Sequence, residues 1–295
     1  MIHIARAVLV AAALLVAADG ASAAVTIRDL LGRDVTLAAP PTRIVSLVPS
    51  ATEILFALGV DDRLVGVTRF CDYPDAARRK PGVGDMLAPN LETIAALKPD
   101  LVIATDEGNR EETFAHLKRL RIPIFLVHAQ RVADAAAVID RLGELTGRQE
   151  AARTLVQTME ARIAALRRAV APYRRPRVLY AVWPEPLIVP GRRAIVTELI
   201  DLAGGDSITA TDGDDYPRFS LEAAVARNPE VIVIATHGAG TPPGAKEKFE
   251  RFASLAAVRN GRVYAVNGDL MHRYTPRLVD GLELLARAFH PEAFR

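Results

Sequence analysis

Asn90 to Ala104 reads NLETIAALKPDLVIA, and Ser220 to Ala235 reads SLEAAVARNPEVIVIA. At one constant offset Asn90 matches Ser220, Glu92 matches Glu222, Pro99 matches Pro229 and Asp100 matches Glu230. In each copy a polar capping residue opens a short helical pattern, a Pro closes it, and an unbroken apolar run follows. Such a run suits a parallel strand buried on both faces. TEILFALG from Thr52 is echoed in the same way by TELIDLAGG from Thr197. A duplicated helix–Pro–strand unit restricts the fold to two similar lobes. A cleft between two lobes is a preferred place for a ligand.

The remaining segments agree with that restriction. Thr26–Ala38 predicts two short strands around Gly32-Arg33. Apolar runs at Ile44–Val48, Leu64–Val67, Leu101–Ala104 and Ile124–Val127 alternate with helical spacing at 51–58, 91–97, 112–120 and 132–145. The pattern restarts with strands at 177–182, 231–235 and 263–266 and helices at 194–202, 221–227 and 276–289. Alternating strands and helices predict an α/β fold with parallel sheets covered on both faces. Between the halves lies QEAARTLVQTMEARIAALRRAVA, Gln149–Ala171, with no internal Gly or Pro. Its apolar residues recur at three- and four-residue steps, and at ~1.5 Å per residue it would be roughly 35 Å long. Periodicity leaves open whether it is a rigid strut joining two lobes or a long helix packed within one domain. The division is therefore 24–147 for an N-terminal lobe, 148–172 for the connecting helix and 173–295 for a C-terminal lobe.

MIHIARAVLVAAALLVAADGASAA at the start has a basic residue, a short apolar run and the Ala21-Ser22-Ala23 triplet. Residues 1–23 thus read as a cleavable secretory signal, too short to span a bilayer, and the expected location is outside the cytoplasm. Formal net charge is +2, which argues against a nucleic-acid partner held by bulk electrostatics. Cys71 is the single cysteine, so no intramolecular disulfide forms. Its expected state is a packed thiol, with a reactive one as the alternative. The six histidines are scattered, and none has the spacing of a zinc or iron cage. No resident metal or cofactor is expected. His272, in the loop GDLMHRYTPR, is nevertheless placed to touch a ligand.

Glu92 and Glu222 each fall two residues after a helix cap. A first-turn acid is favoured by the helix dipole alone. Matched carboxylates on two lobes also suit pairing with arginines of a partner, where bidentate geometry gives register as well as energy. Phe70, Tyr73, Trp183, Tyr216 and Tyr274 lie in loops after strands. Aromatics in that position either pack locally or face a large, flat, partly apolar ligand. HGAGTPPG after the strand at 231–235 has the wrong Gly spacing for a dinucleotide loop and reads as a rim loop. No nucleophile elbow, P-loop or triad spacing is present. A secreted α/β enzyme using the cleft and a ligand-binding envelope sensor stand as the rival classes.

RIVSLVPSATEILFALG, FCDYP and NLETIAALKPDLVIA together resemble the periplasmic substrate-binding proteins of metal-chelate ABC importers, which serve cobalamin, haem and ferric siderophores. The resemblance covers the mature chain and is closest to the cobalamin-binding branch. It implies two Rossmann-like lobes joined by one rigid helix, a monomer, no catalysis, and an inner-membrane ABC permease as partner. It implies that Glu92 and Glu222 dock on permease arginines. Tyr73 matches a cleft tyrosine, Tyr216 stands where the branch has tryptophan, and Asp269 and Arg273 match a cleft acid and arginine. Two departures weaken the match to the branch: Met86 and Thr105 replace cleft tryptophans. Trp183 has no counterpart and is expected to compensate. The implied ligand is cobalamin, with haem or a ferric siderophore as alternatives; Tyr73 or His272 would supply an axial ligand to haem.

Overall fold

A computed structural model describes residues 25–237 and 244–295. The signal expected over residues 1–23, and most of the rim loop HGAGTPPG, lie outside the described residues. A short antiparallel hairpin, β1 (Val25–Arg28) and β2 (Asp34–Leu37), precedes the first lobe. That lobe runs β3 (Ile44–Ser46), α1 (Pro49–Ala57), β4 (Leu64–Val67), α2 (Leu91–Ala96), β5 (Leu101–Thr105), α3 (Glu111–Arg119), β6 (Ile124–Val127) and α4 (Val132–Thr146). The long helix α5 (Gln149–Val170) follows. The second lobe holds β7 (Arg177–Ala181), β8 (Trp183–Pro184), β9 (Leu187–Ile188), α6 (Ile195–Leu202), β10 (Asp206–Ser207), α7 (Leu221–Ala226) and β11 (Val231–Thr236). It closes with α8 (Ala245–Glu250), α9 (Ala256–Arg259), β12 (Val263–Asn267), α10 (Asp269–His272) and α11 (Leu278–Phe289).

Each lobe is built on a four-stranded parallel sheet, in order β4-β3-β5-β6 and β10-β7-β11-β12. The two orders are the same topology, so the sequence repeat is a repeat of architecture. Its matched positions have structural jobs. Asn90 and Ser220 cap α2 and α7 by accepting from the N–H of Thr93 and Ala223. The acid after Pro staples each helix–strand turn to the first strand. Asp100 accepts from the Arg43 N–H at 3.0 Å, and Glu230 accepts from the Arg177 N–H at 3.0 Å.

Alternate residues of the central strands go to different cores, as the period of a strand requires. Ile44, Leu101 and Ile103 point to one large cluster, which also holds Val178, Tyr180, Val231 and Val233 of the other lobe. Val45, Val102 and Ala104 pack in a cluster confined to the N-terminal lobe, and Leu179, Ile232 and Ile234 in one confined to the C-terminal lobe. The large cluster is continuous through Leu142 of α4, Met159 of α5, Leu199 of α6 and Leu282 of α11. Each fully buried side chain of this kind contributes about 1.5–3 kcal/mol. The lobes therefore share one apolar base. Helix α5 packs on α4, α6 and α11 through Ala152, Met159, Leu166 and Val170, with arginines on its outer side. It packs on elements of both lobes, as a rigid helix joining them does. Among the described residues no helix is long and apolar enough to cross a membrane.

The segment GDLMHRYTPR, expected as loop, contains the helical turn α10. The hairpin β8–β9 and the short helices α8 and α9 were likewise not expected from periodicity, because none exceeds six residues.

Candidate functional site

Parallel strands all end at the same edge, and ligands of open α/β sheets gather at their carboxyl ends. Here both sheets turn those ends toward each other. The residues just past β3, β5 and β6 supply Val48, Glu107, Gly108, His128 and Ala129; those past β11 and β12 supply His237, Asp269, His272, Arg273 and Tyr274. Between them lies a cleft of about 950 Å³, with Val48, Pro49, Phe70, Met86, Val127 and Val138 among its apolar lining. That is the size and character of a site for a large organic ligand.

The charged lining is internally paired. Arg273 donates from Nη1 to Glu53 at 2.8 Å and to Asp72 at 2.7 Å, and its Nη2 lies 3.0 Å from Asp269. Burial opposes its charge, but the hydrogen bonds it donates to Glu53 and Asp72 outweigh that and raise its pKa. Arg69 pairs with Asp85 at 2.6 Å, and Arg78 lies 3.5 Å from Asp72. His128 Nδ1 is 2.9 Å from Asp106 Oδ1. Beside it, burial pushes the Glu107 carboxyl up, against the pull of His128.

A row of rings crosses the C-terminal wall. Trp183 stacks on His237, whose ring centroid is 5.5 Å from that of His272. Tyr216 and Tyr180 each lie 5.9 Å from His272. His272 Nε2 is 3.3 Å from the Tyr180 hydroxyl. Burial, and then the neighbouring His237, hold the His272 pKa down at about 3. His272 is thus a neutral imidazole near neutral pH.

The structure brings Met86, Asp269 and Arg273 together in the cleft lining. Met86 sits against Gly108, and its carbonyl accepts from Asn109 Nδ2 at 2.6 Å. Tyr73, Trp183 and Tyr216 are exposed and are not among the residues that line the cleft. Trp183 and Tyr216 touch the lining through His237 and His272, and Tyr73 carries the Arg277 guanidinium on its ring at 3.5 Å. Thr105, at the end of β5, also lines the cleft. Sequence reasoning missed Glu53, Asp72, Glu107 and His128. For Glu53 a signal existed: it is an acid inside the otherwise apolar helix ATEILFAL. Glu92 and Glu222 lie away from the cleft, both exposed in the first turn of matching helices. Ser220 Oγ donates to Glu222 at 2.8 Å, and this bond lowers the carboxyl's pKa. Cys71 is buried against Thr52 and Thr68, and burial raises its thiol pKa, the profile of an inert packed cysteine. Among the described residues no three His, Cys, Asp or Glu side chains converge to hold a metal ion.

Comparison with known proteins agrees with this architecture. An uncharacterized ABC transporter substrate-binding lipoprotein, YvrC of Bacillus subtilis, is 33% identical over 278 residues, covering 92% of this chain and 87% of the relative. The crystal structure of the periplasmic vitamin B12 binding protein BtuF of Vibrio cholerae superposes with a TM-score of 0.75 at 30% identity, covering 87% of this chain and 99% of that one. The periplasmic heme-binding protein RhuT from Roseiflexus sp. RS-1, in apo form, gives 0.76 at 27% identity, covering 85% and 98%. These relatives are binding proteins, not enzymes. The periplasmic binding protein family matches residues 44–270, and the chain belongs to it.

Proposed function

We propose that this chain is the periplasmic substrate-binding component of an ABC importer, and that it carries a corrinoid such as cobalamin in the inter-lobe cleft to an inner-membrane permease. The relatives support the transport role, and one of them is a vitamin B12 binding protein. The observation that carries the choice of ligand is the charge balance of the cleft. Arg69, Arg78 and Arg273 each have a carboxylate partner already, and Glu107 adds a further acid to the lining. A ligand with anionic carboxylates would have to displace those partners. A corrinoid, whose ring edge bears neutral amides, meets acids that accept its N–H groups and an apolar wall that covers its ring.

Haem is the second reading, favoured by His272. It stays neutral at physiological pH, the form in which imidazole ligates a metal. In either case Met86, Tyr216 and Trp183 would frame the ring, Asp269 would face its edge, and Glu92 and Glu222 would face the permease. Isothermal titration with cyanocobalamin, cobinamide and haemin tests this. One-to-one binding of the two corrinoids is expected. Binding of haemin with no heat from either corrinoid would remove the corrinoid assignment.

A further inference from the structure

Glu53 and Glu198 hold the same place in the two copies of the repeat, after Thr in TEILFALG and TELIDLAGG. They lie on α1 and α6, and each reaches out of its own lobe. Glu53 Oε1 accepts from Arg273 Nη1 at 2.8 Å and Oε2 from Arg277 Nη1 at 3.2 Å. Those two arginines belong to the turn that leads into α11. Glu198 Oε2 accepts from the backbone N–H of Val132 at 3.0 Å, with Arg131 Nε 3.9 Å away. Val132 begins α4. Helix α4 follows β6 as α11 follows β12, and β6 and β12 are equivalent edge strands. Each lobe therefore sends a glutamate from its first helix to the start of the other lobe's last helix.

The two ties have diverged. The Glu53 side chain is 3% exposed and that of Glu198 is 28% exposed. A carboxylate so deeply buried is costly unless paired, and a buried ion pair gives register more than net stability. Every ion-pair partner of Glu53 among the described residues belongs to the opposite lobe. Arg273 extends the tie to Asp72 of the N-terminal lobe, and Arg277 extends it to the Tyr73 ring.

We propose that Glu53 and Glu198 are a pseudo-symmetric pair of lobe-positioning residues, fixing how the two lobes meet above their shared core and so setting the mouth of the cleft. Arg273 then serves first as the shared cation of the Glu53 tie. This role does not depend on which chelate the cleft accepts.

The test measures inter-lobe distance without ligand. Spin labels go on Lys118→Cys of α3 and Asn260→Cys after α9, both exposed, while buried Cys71 stays unlabelled. Double electron–electron resonance on the full chain is then compared for the parent, Glu53→Gln, Glu198→Ala and the double variant. Glu53→Gln is expected to add a distance population that the parent lacks. Glu198→Ala should broaden the distribution less, because its tie is half-exposed, and the double variant should broaden it most. Arg277→Lys, which keeps the charge but not the fork, should fall between parent and Glu53→Gln. Melting curves accompany each sample. An unchanged distribution in the double variant, with or without a loss of Tm, overturns the proposal. If Glu53→Gln does not fold, Arg277→Met removes one of the two arginines of the tie from its more exposed side, and with Glu198→Ala it is expected to broaden the distribution, an unchanged one overturning the proposal. A second arm follows cyanocobalamin release, expected to be about tenfold faster in the double variant, since such changes act mainly on dissociation. Failure of the parent to bind cyanocobalamin would sink the ligand reading alone, because the distance arm needs no ligand.

Discussion

Lys98 and Asn228 end the equivalent helices α2 and α7 with the same left-handed backbone, φ +47° and +44°. Pro99 and Pro229 follow them directly. Asn tolerates that conformation, and Asn228 also accepts from the Ala256 N–H at 2.9 Å. Lys98 has a side chain poorly suited to it, since the left-handed region costs an ordinary residue roughly 1–2 kcal/mol. Lys98→Gly is expected to stabilise the protein by up to about 1 kcal/mol, visible as a raised urea midpoint at unchanged slope. A lowered midpoint would show that the Lys98 side chain outweighs its backbone strain.

Tyr216 stands against His272, a lining residue, and is exposed. Tyr216→Ala is expected to weaken cyanocobalamin binding by about 1–3 kcal/mol, the cost of truncating an aromatic that the bound ligand covers, with Tm near the parent. Tyr73→Ala should weaken binding similarly. It should also lose the Arg277 contact, about 0.5–1 kcal/mol for a cation on an exposed aromatic face. Unchanged affinity with a lowered Tm would assign either residue to packing.

His272 predicts a pH dependence of stability. Its folded pKa, about 3, lies below its ordinary value of 6.5. Below the ordinary value the unfolded chain takes up a proton that the folded chain refuses, so stability is full above about pH 6.5. It falls progressively as pH drops toward about 3. In His272→Gln the melting temperature should vary less with pH across that window. An identical pH profile in parent and variant would show that other groups set it.

Glu92 and Glu222 separate binding from delivery. Both are exposed and neither is among the residues that line the cleft. Each is favoured only by the dipole at its own helix start, so its removal should change stability little. At a desolvated contact, loss of a carboxylate paired to Arg costs roughly 2–5 kcal/mol. The double variant Glu92→Ala/Glu222→Ala should bind cyanocobalamin normally yet fail to stimulate uptake by vesicles carrying the cognate permease. Glu92→Arg/Glu222→Arg should be worse, through repulsion. Normal uptake with the double Arg variant would return both residues to simple helix-start acids.

What was legible in the sequence follows from the range of the interactions. The buried strands β5 and β11 show as apolar runs because they are covered on both faces. The caps Asn90 and Ser220 show because capping is local. Elements such as β8, β9 and α10 span four residues or fewer, about one period of their own pattern, so no repeat can show. The tie between Glu53 and Arg273 joins residues 220 positions apart, and nothing local to either names the other. Arg273 could be marked as a cleft residue beside Asp269, but Glu53 and Asp72, its carboxylate partners from the other lobe, were visible only once the lobes were placed. Met86, seated on Gly108 in the cleft wall, depends in the same way on the approach of two loops.

The central claim is that the cleft carries a corrinoid. Its most direct test is native mass spectrometry, with visible absorption, of the protein purified from its host after growth with cyanocobalamin. The account predicts one corrinoid per chain, seen as the added mass and as the absorption of a cobalt corrin. A haem mass with haem absorption, or a chain bearing no chelate, would contradict it.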